Sequence, residues 1–277
     1  MSATRMAPVR LSLGYKVVWG IAALGTSLIS GIFGALLPIF YQDYLGLTAK
    51  WIAIAAAVYA VWNAINDPLF GYVTDSTRSK HGRRIPYMRF TAPFLALTFV
   101  LVWFAPPAAG KQALFIWMLV SMLLYDTCYT IIGLVYSALL PEVTESDSER
   151  NGLQISASLF GLLGMILGFL IPDFFRPKAG SEPSFLPLQI SMIVVAVVSM
   201  VLILVTLIFF IMRVLPGDPI RSQLGPRVSE QQATELRERL GLNRPLGVQY
   251  VEFLWKMVTL DFGTALTQGE RPIRDER

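Results

Sequence analysis

The chain has 277 residues, a formal charge of +4, 54% hydrophobic residues and only 15% charged ones, where a soluble domain carries about 25% charge. Much of it therefore cannot face water, and the positive charge fits loops beside anionic lipid better than it fits nucleic acid. One cysteine (Cys128) and one histidine (His81) exclude an intrachain disulfide framework, a cysteine-based metal cluster and a His/Cys nucleophile pair.

A helix that crosses a bilayer takes about 20 apolar residues and satisfies its own backbone groups. Arg5, Arg10 and Lys16 precede the first apolar stretch as in a signal peptide. The stretch is too long for a signal's apolar core, so it reads as a helix that stays attached. It covers Val17 to Phe40. The second runs from Trp51 to Val73 and the third, after a charged loop, from Phe90 to Phe104. Pro106, Pro107 and Gly110 mark the next turn. The fourth covers Ala113 to Leu140, and an acidic segment from Pro141 to Arg150 leads to the fifth, Leu153 to Ile171. A loop rich in Pro, Gly and Ser ends near Leu186, and the sixth covers Leu188 to Met212.

With the N-terminus inside, the inner segments hold nine basic residues: Arg5, Arg10, Lys16, Arg78, Lys80, Arg83, Arg84, Arg89 and Arg150. The outer ones hold four, Lys50, Lys111, Arg176 and Lys178. That asymmetry predicts a multi-pass protein of the plasma membrane with a cytoplasmic N-terminus. Six spans then place everything after Arg213 in the cytoplasm as well. Composition changes there: Val214 to Arg277 holds nine basic and nine acidic residues. Ser229 and Gln232 form a capping box for a helix from Glu230 to Leu240, closed by Gly241. Pro245 opens a second helix to about Leu260, with Val248, Val251, Leu254 and Val258 at helical spacing. This tail reads as a helical segment at a membrane surface or docked on its own bundle.

The loop after the second span is the most specific motif. It reads Asn66-Asp67-Pro68-Leu69-Phe70-Gly71-Tyr72-Val73-Thr74-Asp75-Ser76-Thr77-Arg78-Ser79-Lys80-His81-Gly82-Arg83-Arg84. A Gly, an Asp four residues on, then a basic residue and Gly-Arg-Arg resemble the loop signature of the major facilitator superfamily. Trp62-Asn63-Ala64-Ile65-Asn66-Asp67-Pro68, with Tyr129-Thr130 and Pro141, resembles its glycoside-pentoside-hexuronide:cation symporter branch, of which the melibiose carrier is a member. The resemblance covers residues 10 to 205. It implies an all-α integral membrane fold, a six-helix half of a major facilitator bundle. It also implies a lipid bilayer as surroundings, a sugar or glycoside as small-molecule substrate, Na⁺ or H⁺ as coupling ion and no other cofactor. A second half would come from a homodimer or a separate chain. Gly71, Asp75, Arg78, Gly82, Arg83 and Arg84 become a conformational latch of charge-assisted hydrogen bonds, where the residues alone also fit a positive-inside anchor.

Ionisable groups inside spans are costly and usually functional. Asp67 lies in the second span with Asn63 one turn earlier on the same face and Asn66 adjacent. Together they offer oxygens to a hard cation, or a carboxylate to a proton; the alternative is a structural hydrogen bond between helices. The branch pattern carries acids where this sequence has Asn63, Ser27 and Gly133, and those acids serve cation and sugar binding. Asp126, seven residues before Gly133 and on its face, is the candidate replacement carboxylate, with Tyr129 beside it. Gly161, Gly164 and Gly168 line the fifth span, and the last two form a small-xxx-small packing pair.

The tail carries other motifs: Arg213-Val214-Leu215-Pro216-Gly217-Asp218-Pro219, Leu236-Arg237-Glu238-Arg239-Leu240-Gly241-Leu242-Asn243-Arg244-Pro245-Leu246, Gln249-Tyr250 and Asp261-Phe262-Gly263-Thr264. Residues 206 to 277 resemble the N-terminal segment of a dipeptide/oligopeptide ABC transporter permease. No phosphate-cradling Gly-x-x-x-x-Gly-Lys loop accompanies them, and Asp261-Phe262-Gly263 stands without other kinase elements. The expected function is secondary transport rather than enzymatic catalysis. The alternatives are a peptide-permease component and a non-transporting fusion or truncation product.

Overall fold

The computed structural model describes residues 11–77, 85–175, 177, 184–213, 244, 248–252 and 255. Among these, six long helices follow one another: α1 (Leu13–Pro38), α2 (Ala49–Ser76), α3 (Ile85–Trp103), α4 (Lys111–Val143), α5 (Asp147–Phe175) and α6 (Leu186–Arg213). Pro38 has no N–H to give to the helix ladder, and α1 continues beyond it as a wider π-helical turn, Ile39–Tyr44. The chain then reverses through Gly46, whose φ of 68° suits glycine. The expected turn after α3 is present and ends on Gly110 at φ 83°.

Among the described residues, five helical segments are long and apolar enough to cross a membrane: Leu13–Tyr44, Ala49–Ser76, Lys111–Val143, Asp147–Phe175 and Leu186–Thr206. The third expected span is apolar, among the described residues, over Phe90–Trp103, close to the stretch expected from Phe90 to Phe104. The whole of α3 has 19 residues. At 1.5 Å per residue that is about 28 Å, close to a hydrocarbon core of about 30 Å.

The closest pairings run in a series, and α1 closes it onto α4 through Trp19 stacked on Tyr136 and Phe33 on Tyr125, each at 4.5 Å. α5 lies along α1, α1 along α6, α6 along α3, α3 along α4, and α4 along α2. α1 and α4 bury the largest share of their apolar stretches and α2 the smallest. The α1–α5 pairing is the tightest, and glycine makes it so. A Cβ on Gly164 would sit 2.5 Å from the Leu24 carbonyl oxygen, and one on Gly168 would sit 2.7 Å from that of Leu28. The small-xxx-small pair is thus a backbone-to-backbone contact. Large apolar residues of α2 (Val58, Val61, Ile65) and α5 (Ile155, Leu159, Leu162) remain exposed.

The described part of the tail is helical over 248–252, within the expected second tail helix; the expected helix over 230–240 lies outside the described residues. Tyr250 is buried there. Its hydroxyl shares a 2.7 Å hydrogen bond with that of Thr206, and its ring meets Phe209 edge-on at 5.4 Å. The segment therefore docks on the last turns of α6.

Candidate functional site

The polar residues of α2 gather along one side of the helix, and α4 is what they face. Tyr59, Asn63 and Asn66 follow one another at i, i+4 and i+7, with Trp62 beside them. Opposite stand Tyr125, Asp126, Thr127, Tyr129 and Thr130. Asp126, near the midpoint of α4, is only 3% exposed and Asn66 only 1%. The Tyr59 hydroxyl donates to Asp126 Oδ1 at 2.8 Å, and Asn66 Nδ2 donates to Asp126 Oδ2 at 3.0 Å. Both carboxylate oxygens are thereby engaged, and the Asn63 side chain reaches the same carboxylate and Tyr59. Trp62 Nε1 donates to Thr127 Oγ1 at 3.2 Å.

The expected grouping of Asn63, Asn66, Asp67 and Asp126 is thus divided in two. Asn63 and Asn66 turn to Asp126. Asp67 is exposed and accepts a 3.2 Å hydrogen bond from the Thr130 hydroxyl. One carboxylate is enclosed by neutral donors, and the other is exposed and joins the seam through Thr130. Tyr129 is half-buried, with its ring 5.9 Å from that of Tyr125. Tyr125 is fully packed: Phe33 stacks on it at 4.5 Å and Phe99 lies 5.9 Å away. Two buried polar atoms of this region have no hydrogen-bond partner, the Tyr125 hydroxyl and Asn66 Oδ1. Nothing lies within 4 Å of where a Cβ on Gly133 would be. The Ser27 hydroxyl instead lies against Gly161, in the α1–α5 contact.

Of the latch residues, Gly71 and the exposed Asp75 occupy the last turns of α2, while Arg78, Gly82, Arg83 and Arg84 lie outside the described residues. The end of α2 is closed onto α3 by other groups: Tyr87 donates to the Val73 carbonyl at 3.2 Å and shares a hydrogen bond with the Thr77 hydroxyl. A further polar contact, which no sequence motif signals, joins the starts of α1 and α5. Lys16 Nζ lies 3.0 Å from Glu149 Oε2, which also accepts the Leu11 backbone N–H at 3.3 Å. Tyr59 and Trp62 join the site without having been expected there. Their spacing to Asn63 and Asn66 is the signal that marks them.

The sequence pattern of the MFS/sugar transport protein family matches residues 18–240. The match runs past residue 205 and overlaps part of the segment that carries the peptide-permease motifs. Similar proteins include an uncharacterized symporter of Synechocystis, sll1374, 29% identical over 167 residues, which are 58% of this chain and 31% of that protein. A sodium-dependent lysophosphatidylcholine symporter 1 of Xenopus tropicalis is 30% identical over 163 residues, 58% of this chain and 31% of its own. A candidate glycoside/cation symporter of Escherichia coli, YagG, is 28% identical over 145 residues, 52% of this chain and 31% of its own. The chain spans 31% of the length of each of these relatives.

Proposed function

We propose that this chain, which belongs to the MFS/sugar transport protein family, supplies one six-helix bundle of an ion-coupled secondary transporter. The observation that carries the reading is Asp126: a carboxylate at the middle of a membrane-length helix, enclosed by Tyr59 and Asn66. Such groups mark ion and substrate pathways because hydrocarbon penalises them elsewhere. The multi-pass bundle sits in the cell membrane with the N-terminus and the tail on the cytoplasmic side, the side favoured by the basic loops. Residues 1–205 are the bundle and 206–277 its appendage. Tyr250 docked on Thr206 supports an intramolecular role for the tail over that of a peptide permease.

The coupled ion is Na⁺ or H⁺. Asn63, Asn66, Asp67, Asp126 and Tyr129 form the ion and substrate site, and the Gly71–Arg84 segment acts as the conformational latch. The substrate is a sugar or glycoside, held by amide donors and the Tyr129 ring. The sugar-transport description of the family and the glycoside in YagG's name support that choice. Transporters of this type place the site between bundles that rock against each other. The exposed apolar faces of α2 and α5 suit a second bundle from another copy or another chain.

Reconstitution into liposomes tests the proposal. Uptake of a labelled glycoside should follow an imposed Na⁺ or H⁺ gradient without ATP. Uptake that ignores both gradients and requires ATP with an added ATPase would overturn it.

A further inference from the structure

We infer that the ion taken up at the α2–α4 seam is a proton, carried on the Asp126 carboxyl. The inference rests on the proposed transporter function and chooses between its two ions. Among the described residues, the polar partners of Asp126 are Tyr59, Asn66 and Asn63, all neutral. A carboxylate 3% exposed in a membrane-length helix needs a counter-charge or a proton. The titratable groups facing it are Tyr59 and Asp67 from α2 and Tyr125 and Tyr129 from α4; α1 and α3 bring the rings of Phe33 and Phe99 against Tyr125. None of these is a cation.

A metal ion asks for several oxygens converging on one point. Here each carboxylate oxygen already receives a hydrogen, from the Tyr59 hydroxyl and the Asn66 amide, and hydrogens aimed at a site repel a metal cation. Because Asn66 gives Asp126 its nitrogen, its oxygen lies on the other side of the amide. The second acid, Asp67, is exposed and bonded to Thr130. A proton needs one oxygen only. Its binding is balanced as carboxylate plus hydronium giving carboxylic acid plus water, with the new O–H on Oδ2.

The same residues hold the product. Once protonated, Oδ2 is a donor and no longer suits the Asn66 NH₂ group. A half-turn of the Asn66 amide presents Oδ1, the buried oxygen that otherwise lacks a partner, as acceptor for the new O–H. The orphaned oxygen of Asn66 is thus the acceptor for the second protonation state, and Tyr59 can donate to Oδ1 of Asp126 in both.

Infrared difference spectroscopy of the full chain in lipid nanodiscs tests this directly. On stepping from alkaline to acid, a protonated carboxyl C=O band should appear, be lost in Asp126→Asn, persist in Asp67→Asn and be unmoved by NaCl. If Asp126→Asn does not fold, Asn66→Ala supplies the second variant: the band should shift in frequency, because the acid's acceptor is gone. No such band at any pH, a band that Na⁺ removes, or one lost in Asp67→Asn instead, would overturn the inference. The readout needs no substrate, so failed glycoside uptake with an intact Asp126 band would count against the transporter reading alone.

Discussion

Tyr59 donates its hydroxyl hydrogen to Asp126 across 2.8 Å, and with that bond the least buried helix of the bundle is fastened to one of the two most buried. α2 touches little besides α4, so its placement depends on a short polar seam: Tyr59 and Asn66 on Asp126, Trp62 on Thr127, and Asp67 on Thr130. The seam is both the attachment of a helix and the candidate site. Changes there should alter stability and ion response together.

Tyr59→Phe removes one donor from a buried carboxylate oxygen, a loss of about 1–3 kcal/mol. Thr130→Val removes a bond to an exposed carboxylate that water can replace, so its cost should be well under that. Thermal unfolding in detergent should rank Tyr59→Phe clearly below Thr130→Val. Equal stabilities would mean that the Tyr59–Asp126 bond does not hold α2.

The glycines divide by what surrounds them. Gly164→Ala drives a Cβ to 2.5 Å from the Leu24 carbonyl oxygen, an overpacking expected to cost about 1–3 kcal/mol. Gly133→Ala enters open space and should be neutral or gain up to about 1 kcal/mol of helix propensity. The same unfolding measurement checks both, and a sensitive Gly133 would show that its open side is filled in the folded protein.

Topology is testable through the charged loop. In a Cys128→Ser background, a cysteine at position 80 should resist an impermeant thiol reagent applied outside intact cells and react after lysis. Labelling from outside would reverse the orientation of the whole bundle.

Docking of the tail should be sensitive to alkali. Burial pushes the Tyr250 phenol above its ordinary value, and the Thr206 hydrogen bond offsets part of that. An acid with a raised folded pKa stabilises the docked form below its free value, about 10 for a phenol, and that contribution is lost as pH rises through the folded value. Protease cleavage after residue 213 should therefore accelerate in strong alkali. Tyr250→Phe should abolish that pH dependence; an unchanged dependence would assign it to another group.

The helices were legible because an apolar run of bilayer length can rarely be buried except by crossing a membrane, and the Pro106–Gly110 turn because its residues stop helices. The continuation of α1 to Tyr44 leaves no apolar signal, since Gln42 and Asp43 end the run expected to close at Phe40, yet the π-helical turn carries them. The face of α2 was harder. Asn63 pairs as well with Asp67 as with Asn66 at helical spacing, and only the position of α4 shows that Asn66 is enclosed and Asp67 is not. Glu149 looked like part of an acidic loop. Its partner Lys16 belongs to another helix, and such a distant pairing leaves no periodic trace.

Ion-dependent ligand binding tests the reading of the site most directly. With the purified chain in nanodiscs, affinity for a fluorescent glycoside would be titrated across pH and Na⁺ concentration in the natural sequence, Asp126→Asn and Asp67→Asn. Losing the charged partner of two hydrogen bonds should weaken binding in Asp126→Asn by on the order of tenfold or more, and remove its ion dependence. Asp67→Asn should retain that dependence. Unchanged ion-dependent binding in both variants would contradict the assignment of this seam as the coupling site.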